Sequence, residues 1–142
     1  MSEGLSPKLP MSLHPSDGYR LTKTYKEMVK QNIKMLILTC PGERMMDPLF
    51  GVGLKNFLFQ PNHPLTWGNI EGRINNQVKK YLPFVKIMDV EFGKLDDNIA
   101  IKDNTLSVRI TYKIVPLDSV DRLDLNMTGE GASVASVSAE TT

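Results

Sequence analysis

A chain of 142 residues, 41% of them apolar and 23% charged, can bury one modest core, and a second domain of ordinary size would not fit. Its 17 basic and 16 acidic residues nearly cancel without a run of like charge, so the electrostatic footprint of a nucleic-acid binder is missing. A single cysteine, Cys40, excludes an internal disulfide, and two histidines far apart in sequence give no zinc spacing.

No window approaches the roughly 18 consecutive apolar residues that a membrane helix needs, and the N-terminal MSEGLSPKLP lacks the basic-then-apolar layout of a signal peptide. These features set the expectation of a soluble protein of a reducing cytoplasm with no cofactor, no metal, and neither nucleic acid nor membrane as partner. No internal repeat is visible, which argues against a solenoid or propeller.

Residues 1–20 hold Pro7, Pro10 and Pro15, then Ser16-Asp17-Gly18, and no apolar period, which predicts an extended N-terminal arm. Residues 21–127 then form a single domain. From Leu21 to Leu38 the apolar residues Leu21, Tyr25, Met28, Val29, Ile33, Leu36 and Ile37 recur at helical spacing. Thr24 and Glu27 fit a capping box, which allows the helix to begin there, and Pro41 ends it by pushing Cys40 out of helical geometry. A second helix is marked by Trp67, Ile70, Ile74, Val78 and Tyr81 on one face, with Pro64 at its start and Pro83 closing it. Gly72 inside that helix suggests close approach of another backbone.

From Phe84 the period changes to two. Alternation places Phe84, Met88, Val90 and Phe92 on one face with Lys86, and Val85, Ile87, Asp89 and Glu91 on the other. A second strand sets Leu106, Val108, Ile110, Tyr112 and Ile114 inward and Ser107, Arg109, Thr111 and Lys113 toward water. Asp96, Asp97 and Asn98 predict the intervening turn, with room for a short strand at Ile99–Ile101. After Pro116, Leu123, Leu125 and Met127 alternate with polar residues as a third strand. Residues 128–142, rich in Ser, Thr, Ala and Gly, predict a flexible C-terminal tail. The fold class is α+β, with two main helices packed on a small antiparallel sheet of three to four strands.

No catalytic residues emerge. Acyl transfer needs a nucleophile, a base and an orienting acid together, and the only histidines are His14 in the arm and His63, whose place before Pro64 suits a surface or capping role. Glu27, Glu43, Glu71, Asp89 and Glu91 lie beside basic residues or on solvated faces, where salt bridging explains them. Gly51-Val52-Gly53 lacks the lysine of a phosphate loop and the third glycine of a dinucleotide fingerprint, so it reads as a tight bend. Met45 and Met46 beside Leu49 and Phe50 fit either a partner-binding patch or ordinary core.

The run Leu36-Ile37-Leu38-Thr39-Cys40-Pro41-Gly42-Glu43-Arg44, then Asp47-Pro48-x-Phe50-Gly51-x-Gly53-Leu54 and Phe57-Leu58-Phe59, resembles the signature of the small baseplate wedge proteins of contractile-tailed phages, relatives of a type VI secretion baseplate component. The resemblance spans about Leu21 to Val115. It implies a structural virion protein of the tail baseplate, assembled in the host cytoplasm, that contacts other wedge subunits, the tail sheath protein, and tail tube or hub proteins. On this reading Pro41, Gly42, Glu43, Arg44, Phe50, Gly51 and Gly53 form the signature, with Arg44 facing either a neighbouring subunit or an internal pair.

The family's Glu-Pro-Arg motif, which contacts the wedge's helical core bundle, matches Leu82-Pro83-Phe84 here, so only the proline survives. Leu82 and Phe84 either replace the ionic contact with an apolar anchor or join the core. Family members also offer strands that the first sheath ring extends, which points to Val120–Met127 (Leu123, Leu125, Met127) as the sheath-pairing strand. Two other readings stay open. One is a peptidoglycan-degrading enzyme, because the family carries a lysozyme-like label. The other is a cytoplasmic adaptor of a regulatory protein, because stress-response relatives share the fold.

Overall fold

The computed structural model describes residues 4–61, 63–93, 105–128 and 131–133. It falls into two compact units, Met1–Met35 and Leu36–Thr142.

In the first unit the stretch read as an arm doubles back on itself. β1 (Ser6–Pro7) pairs antiparallel with β4 (Leu21–Thr22), and β2 (Leu13–His14) pairs with β3 (Gly18–Tyr19) around a turn whose Gly18 sits at φ +75°. Backbone bonds from Lys8 N–H to the Arg20 carbonyl and from Arg20 N–H to the Ser12 carbonyl join the two pairings into one nested hairpin. Because Leu21 and Thr22 belong to a strand, α1 starts only at Tyr25 and runs to Leu38. Thr24 caps it, accepting from Glu27 N–H at 3.4 Å through Oγ1 and from Met28 N–H through its carbonyl. The Gln31 side chain straps the hairpin to the helix, donating to the Pro7 carbonyl at 2.9 Å and accepting from Leu9 N–H at 3.1 Å.

The second unit continues through a 3₁₀ turn at Leu54–Phe57, α2 (Pro64–Tyr81), β5 (Val85–Phe92), β6 (Leu106–Ile114), β7 (Ser119–Thr128) and β8 (Gly131–Ser133). The four strands form one antiparallel sheet in the order β5-β6-β7-β8, an α+β arrangement as the sequence predicts. Its core combines Ile70, Ile74 and Val78 of α2, Val108, Ile110, Tyr112 and Ile114 of β6, and Leu123, Leu125 and Met127 of β7, all at most 2% exposed. Burying each such aliphatic side chain contributes about 1.5–3 kcal/mol, so this layer holds the unit together.

Three sequence expectations need correction. Alternation along β5 breaks because the register skips from Ile87↔Tyr112 to Asp89↔Thr111, which makes Met88 the extra residue of a β-bulge. Val85 and Ile87 therefore cover the same face as Val90 and Phe92, and Met88 is 61% exposed. Gly72 faces open space, since a Cβ built there meets nothing within 4 Å among the described residues, so no described backbone approaches it. The far face of β6 is not simply in water. Ser107 is buried, and Arg109 bridges Asp124 at 2.9 Å and Glu91 at 3.6 Å in a row across three strands, with the Asp124 side chain only 3% exposed.

The predicted turn at Asp96–Asn98 and strand at Ile99–Ile101 lie outside the described residues, as do residues 129–130 and 134–142 of the predicted tail, whereas Thr128 ends β7 and Gly131–Ser133 form β8 instead of a flexible tail.

Candidate functional site

The signature loop is fastened to α2 from the inside. Gly42, Gly51 and Gly53 take φ values of +93°, +109° and +70°. At Gly51 an added Cβ would lie 2.1 Å from the Thr39 carbonyl oxygen, so only glycine lets the returning chain pass the end of α1. Gly53 is nearly as constrained, with the Pro41 ring 2.8 Å from a built Cβ. Both glycines are buried, and Val52 between them donates to the Leu36 carbonyl, so the bend is welded to the last turns of α1.

Gln77 supplies the second fastening. Its Oε1 accepts from Gly51 N–H at 3.0 Å while its Nε2 donates to the Leu49 carbonyl at 3.0 Å. One turn further along α2, the Tyr81 hydroxyl donates to Asp47 Oδ2 at 2.6 Å and the Tyr81 ring meets Phe50 edge-on at 4.8 Å. The Arg44 guanidinium lies over the other side of this arrangement, 4.2 Å from the Phe50 centroid. Glu43 turns inward to its own loop, where its Oε2 accepts from Cys40 N–H at 3.0 Å. Neither Glu43 nor Arg44 forms an ion pair among the described residues, so the internal salt bridge that the sequence allowed gives way to a cap and a cation–π contact.

Beside the exposed Glu43 and Arg44, the loop leaves apolar side chains outside. Met45 and Met46 are 95% and 97% exposed, and Leu49 is 67% exposed. Of the two readings for the methionines, the exposure excludes ordinary core.

At the Leu82-Pro83-Phe84 corner, Leu82 is buried and caps α2 through its N–H to the Val78 carbonyl, Pro83 is exposed, and Phe84 is half-buried. Leu82 has joined the core. No hydrogen bond or ring contact among the described residues links this corner to the signature loop. Leu123, Leu125 and Met127 point into the core, so these three side chains are closed to a partner, and strand pairing there would use the backbone edge of β7. Part of that edge is taken, because β8 pairs with Asn126–Thr128.

Gln77 and Tyr81 are the residues sequence reasoning missed as loop anchors. Their four-residue spacing on one helix face was the available signal, obscured by Tyr81 serving as a member of the apolar stripe.

No reactive constellation forms among the described residues. His63 caps α2, its Nδ1 accepting from Leu65 N–H at 3.3 Å. His14 lies in the hairpin of the first unit against Ser16 and Asp17. Burial first, and then the Glu43 carboxylate, push the Cys40 thiol above its ordinary pKa, away from the thiolate a nucleophile needs. No group of three His, Cys, Asp or Glu side chains could hold a metal, and no helix is long and apolar enough to cross a membrane, among the described residues.

Comparison with known proteins places this arrangement. The family model for baseplate wedge protein gp25 matches residues 23–116. The chain is 29% identical over 100 residues to the baseplate wedge protein gp25 of Enterobacteria phage T4, covering 70% of this chain and 72% of that protein. Among solved structures, a chain of the anti-feeding prophage baseplate superposes with a TM-score of 0.63 at 28% identity, covering 77% of this chain and 83% of that one. A candidate tail lysozyme of Geobacter sulfurreducens superposes with a TM-score of 0.61 at 20% identity, covering 84% and 99%, a likeness of fold alone. With two thirds of its length matched, signature loop and α2 included, the chain belongs to the gp25 family of baseplate wedge proteins.

Proposed function

We propose that this protein is a non-catalytic structural subunit of a contractile-tail baseplate wedge, incorporated into the virion during assembly in the host cytoplasm. It joins neighbouring wedge subunits to the first ring of sheath. The observation that carries the reading is the use to which the signature loop puts its polar groups. Gln77, Tyr81, Asp47 and Glu43 all spend their hydrogen bonds inside the loop, and none is left poised for chemistry. The loop is internally fastened and shows exposed Met45, Met46 and Leu49 next to Glu43 and Arg44, which suits a docking element and not a catalyst.

Sheath seeding by strand pairing is supported by the edge of β7, where β8 covers only Asn126–Thr128 and Ser119–Leu125 stay open among the described residues. Deleting all of Val120–Thr142 would not test this, because it removes three fully buried core residues. A chain ending at Thr128 keeps β7 packed on β6. In complementation of a phage lacking the native subunit, it is expected to enter baseplates that still nucleate sheath, because the edge of β7 is kept and its cover over Asn126–Thr128 removed, and baseplates bare of sheath would refute β7 as the pairing strand. Absence of the full chain from purified particles by mass spectrometry would overturn the structural reading itself. Clearing of peptidoglycan by the purified chain would favour a lysozyme-like enzyme.

A further inference from the structure

The near-zero net charge of the chain conceals a segregation. Residues 1–35 carry six basic residues against three acidic ones, and residues 36–142 carry eleven against thirteen. Within the first unit part of this excess converges on a cleft of about 380 Å³ lined by Lys8, Arg20, Lys23, His14, Asp17 and Glu27, with Leu21 and Thr24 as its floor.

The framework of the cleft is fixed by backbone. Lys8 and Arg20 sit across the nested hairpin from one another, tied by the 2.8 Å bond from Lys8 N–H to the Arg20 carbonyl, and Gln31 holds the neighbouring strand to α1. The acidic members do not neutralise the basic ones. Asp17 lies 3.7 Å from His14, and none of Lys8, Arg20 and Lys23 has a carboxylate within ion-pair distance among the described residues. Three exposed cations held around one concavity, with no ion-pair partner among the described residues, form an anion-receiving surface.

We propose that this cleft receives an acidic segment of a neighbouring protein chain, two or more Asp or Glu side chains presented together. A peptide fits better than a nucleic-acid strand for two reasons. The rim carries Asp17 and Glu27, which would repel a continuous phosphate backbone but can be straddled by discrete carboxylates, and the cations number three and not a stripe. The proposal deepens the structural-subunit reading by naming the chemistry of one of its contacts. Its assay needs no particle, so its failure is distinguishable from failure of that reading.

The test titrates the full chain into a fluorescein-labelled hexaglutamate peptide at 50 mM salt and follows anisotropy. Saturable binding is expected, weakened at least tenfold by the double substitution Arg20→Glu with Lys23→Glu and at least threefold by raising salt to 200 mM. The control Lys79→Glu, on α2 in the other unit, is expected to bind within twofold of the natural chain. Arg20→Lys, which keeps the charge, should retain most of the affinity, and a urea midpoint of the double variant equal to that of the natural chain shows that its loss of binding is not misfolding. Lack of binding by the natural chain, or a double variant within twofold of it, would overturn the proposal. Tighter binding of a single-stranded DNA oligonucleotide than of the peptide would replace it with a nucleic-acid site.

Discussion

The signature loop and the N-terminal hairpin both reverse the chain within some twenty residues, yet they do it by opposite means. The loop of Leu49–Gly53 is carved to fit, with two buried glycines against backbone and ring atoms and a glutamine holding both of its sides. The hairpin is held by strand pairings two residues long and a single strap from Gln31, and it exposes Leu13 at 82% and Met11 at 59%. A segment shaped by its own interior can identify a fold. A segment whose apolar and cationic groups face outward is shaped for something else to complete.

Substitutions can break or sharpen that contrast. The largest effect is expected from Gly51→Ala, which forces a side chain into a φ of +109° and against the Thr39 carbonyl, at a cost of about 3 kcal/mol or more. Urea unfolding followed by Trp67 fluorescence would show it as a lowered midpoint. Gln77→Ala should cost about 2 kcal/mol in the same assay, because the buried Gly51 N–H loses its acceptor.

Tyr112→Phe tests the sheet core. Burial first, then the Asp121 carboxylate that accepts its hydroxyl at 3.2 Å, push the Tyr112 phenol above its ordinary pKa. A group whose pKa is raised by folding stabilises fully below its unfolded value and loses that contribution as pH rises. The natural chain should therefore destabilise above about pH 10, and Tyr112→Phe should flatten that alkaline limb while costing about 1 kcal/mol at neutral pH.

Smaller effects separate the regions further. Gly72→Ala should stabilise by about 0.5–1 kcal/mol, since the added methyl meets nothing and helix propensity improves. In the hairpin, Leu13→Ser should leave the midpoint unchanged within about 0.5 kcal/mol, and a larger loss would show that the hairpin contributes to stability as the loop does.

Legibility in the sequence followed the physical signal. α2 could be read because Ile70, Ile74 and Val78 repeat at helical spacing between two prolines, and β6 because nine residues alternate without a break. The bend at Gly51-Val52-Gly53 was legible as a bend, but the reason both glycines are needed is a carbonyl and a ring brought from elsewhere in the chain. The phase of β5 was not legible, because a bulge leaves no mark on composition and simple alternation assigns Met88 to the wrong face. The hairpin strands are too short to show a period at all. The signal of Gln77 was weak, because a polar residue four positions before Tyr81 is unremarkable until the loop that both hold is seen.

The bulge at Met88 has a further consequence. Among the described residues β5 is an outermost strand, and an extra residue near its middle throws the spacing of its outward amides out of step with any straight strand laid beside it. On the opposite side, Ser119–Met127 of β7 pair with β6 without a register shift, and among the described residues the outer edge of β7 is covered only at Asn126–Thr128. Among the described residues the sheet is thus asymmetric, with one margin spoiled for lateral addition of a strand and the other regular.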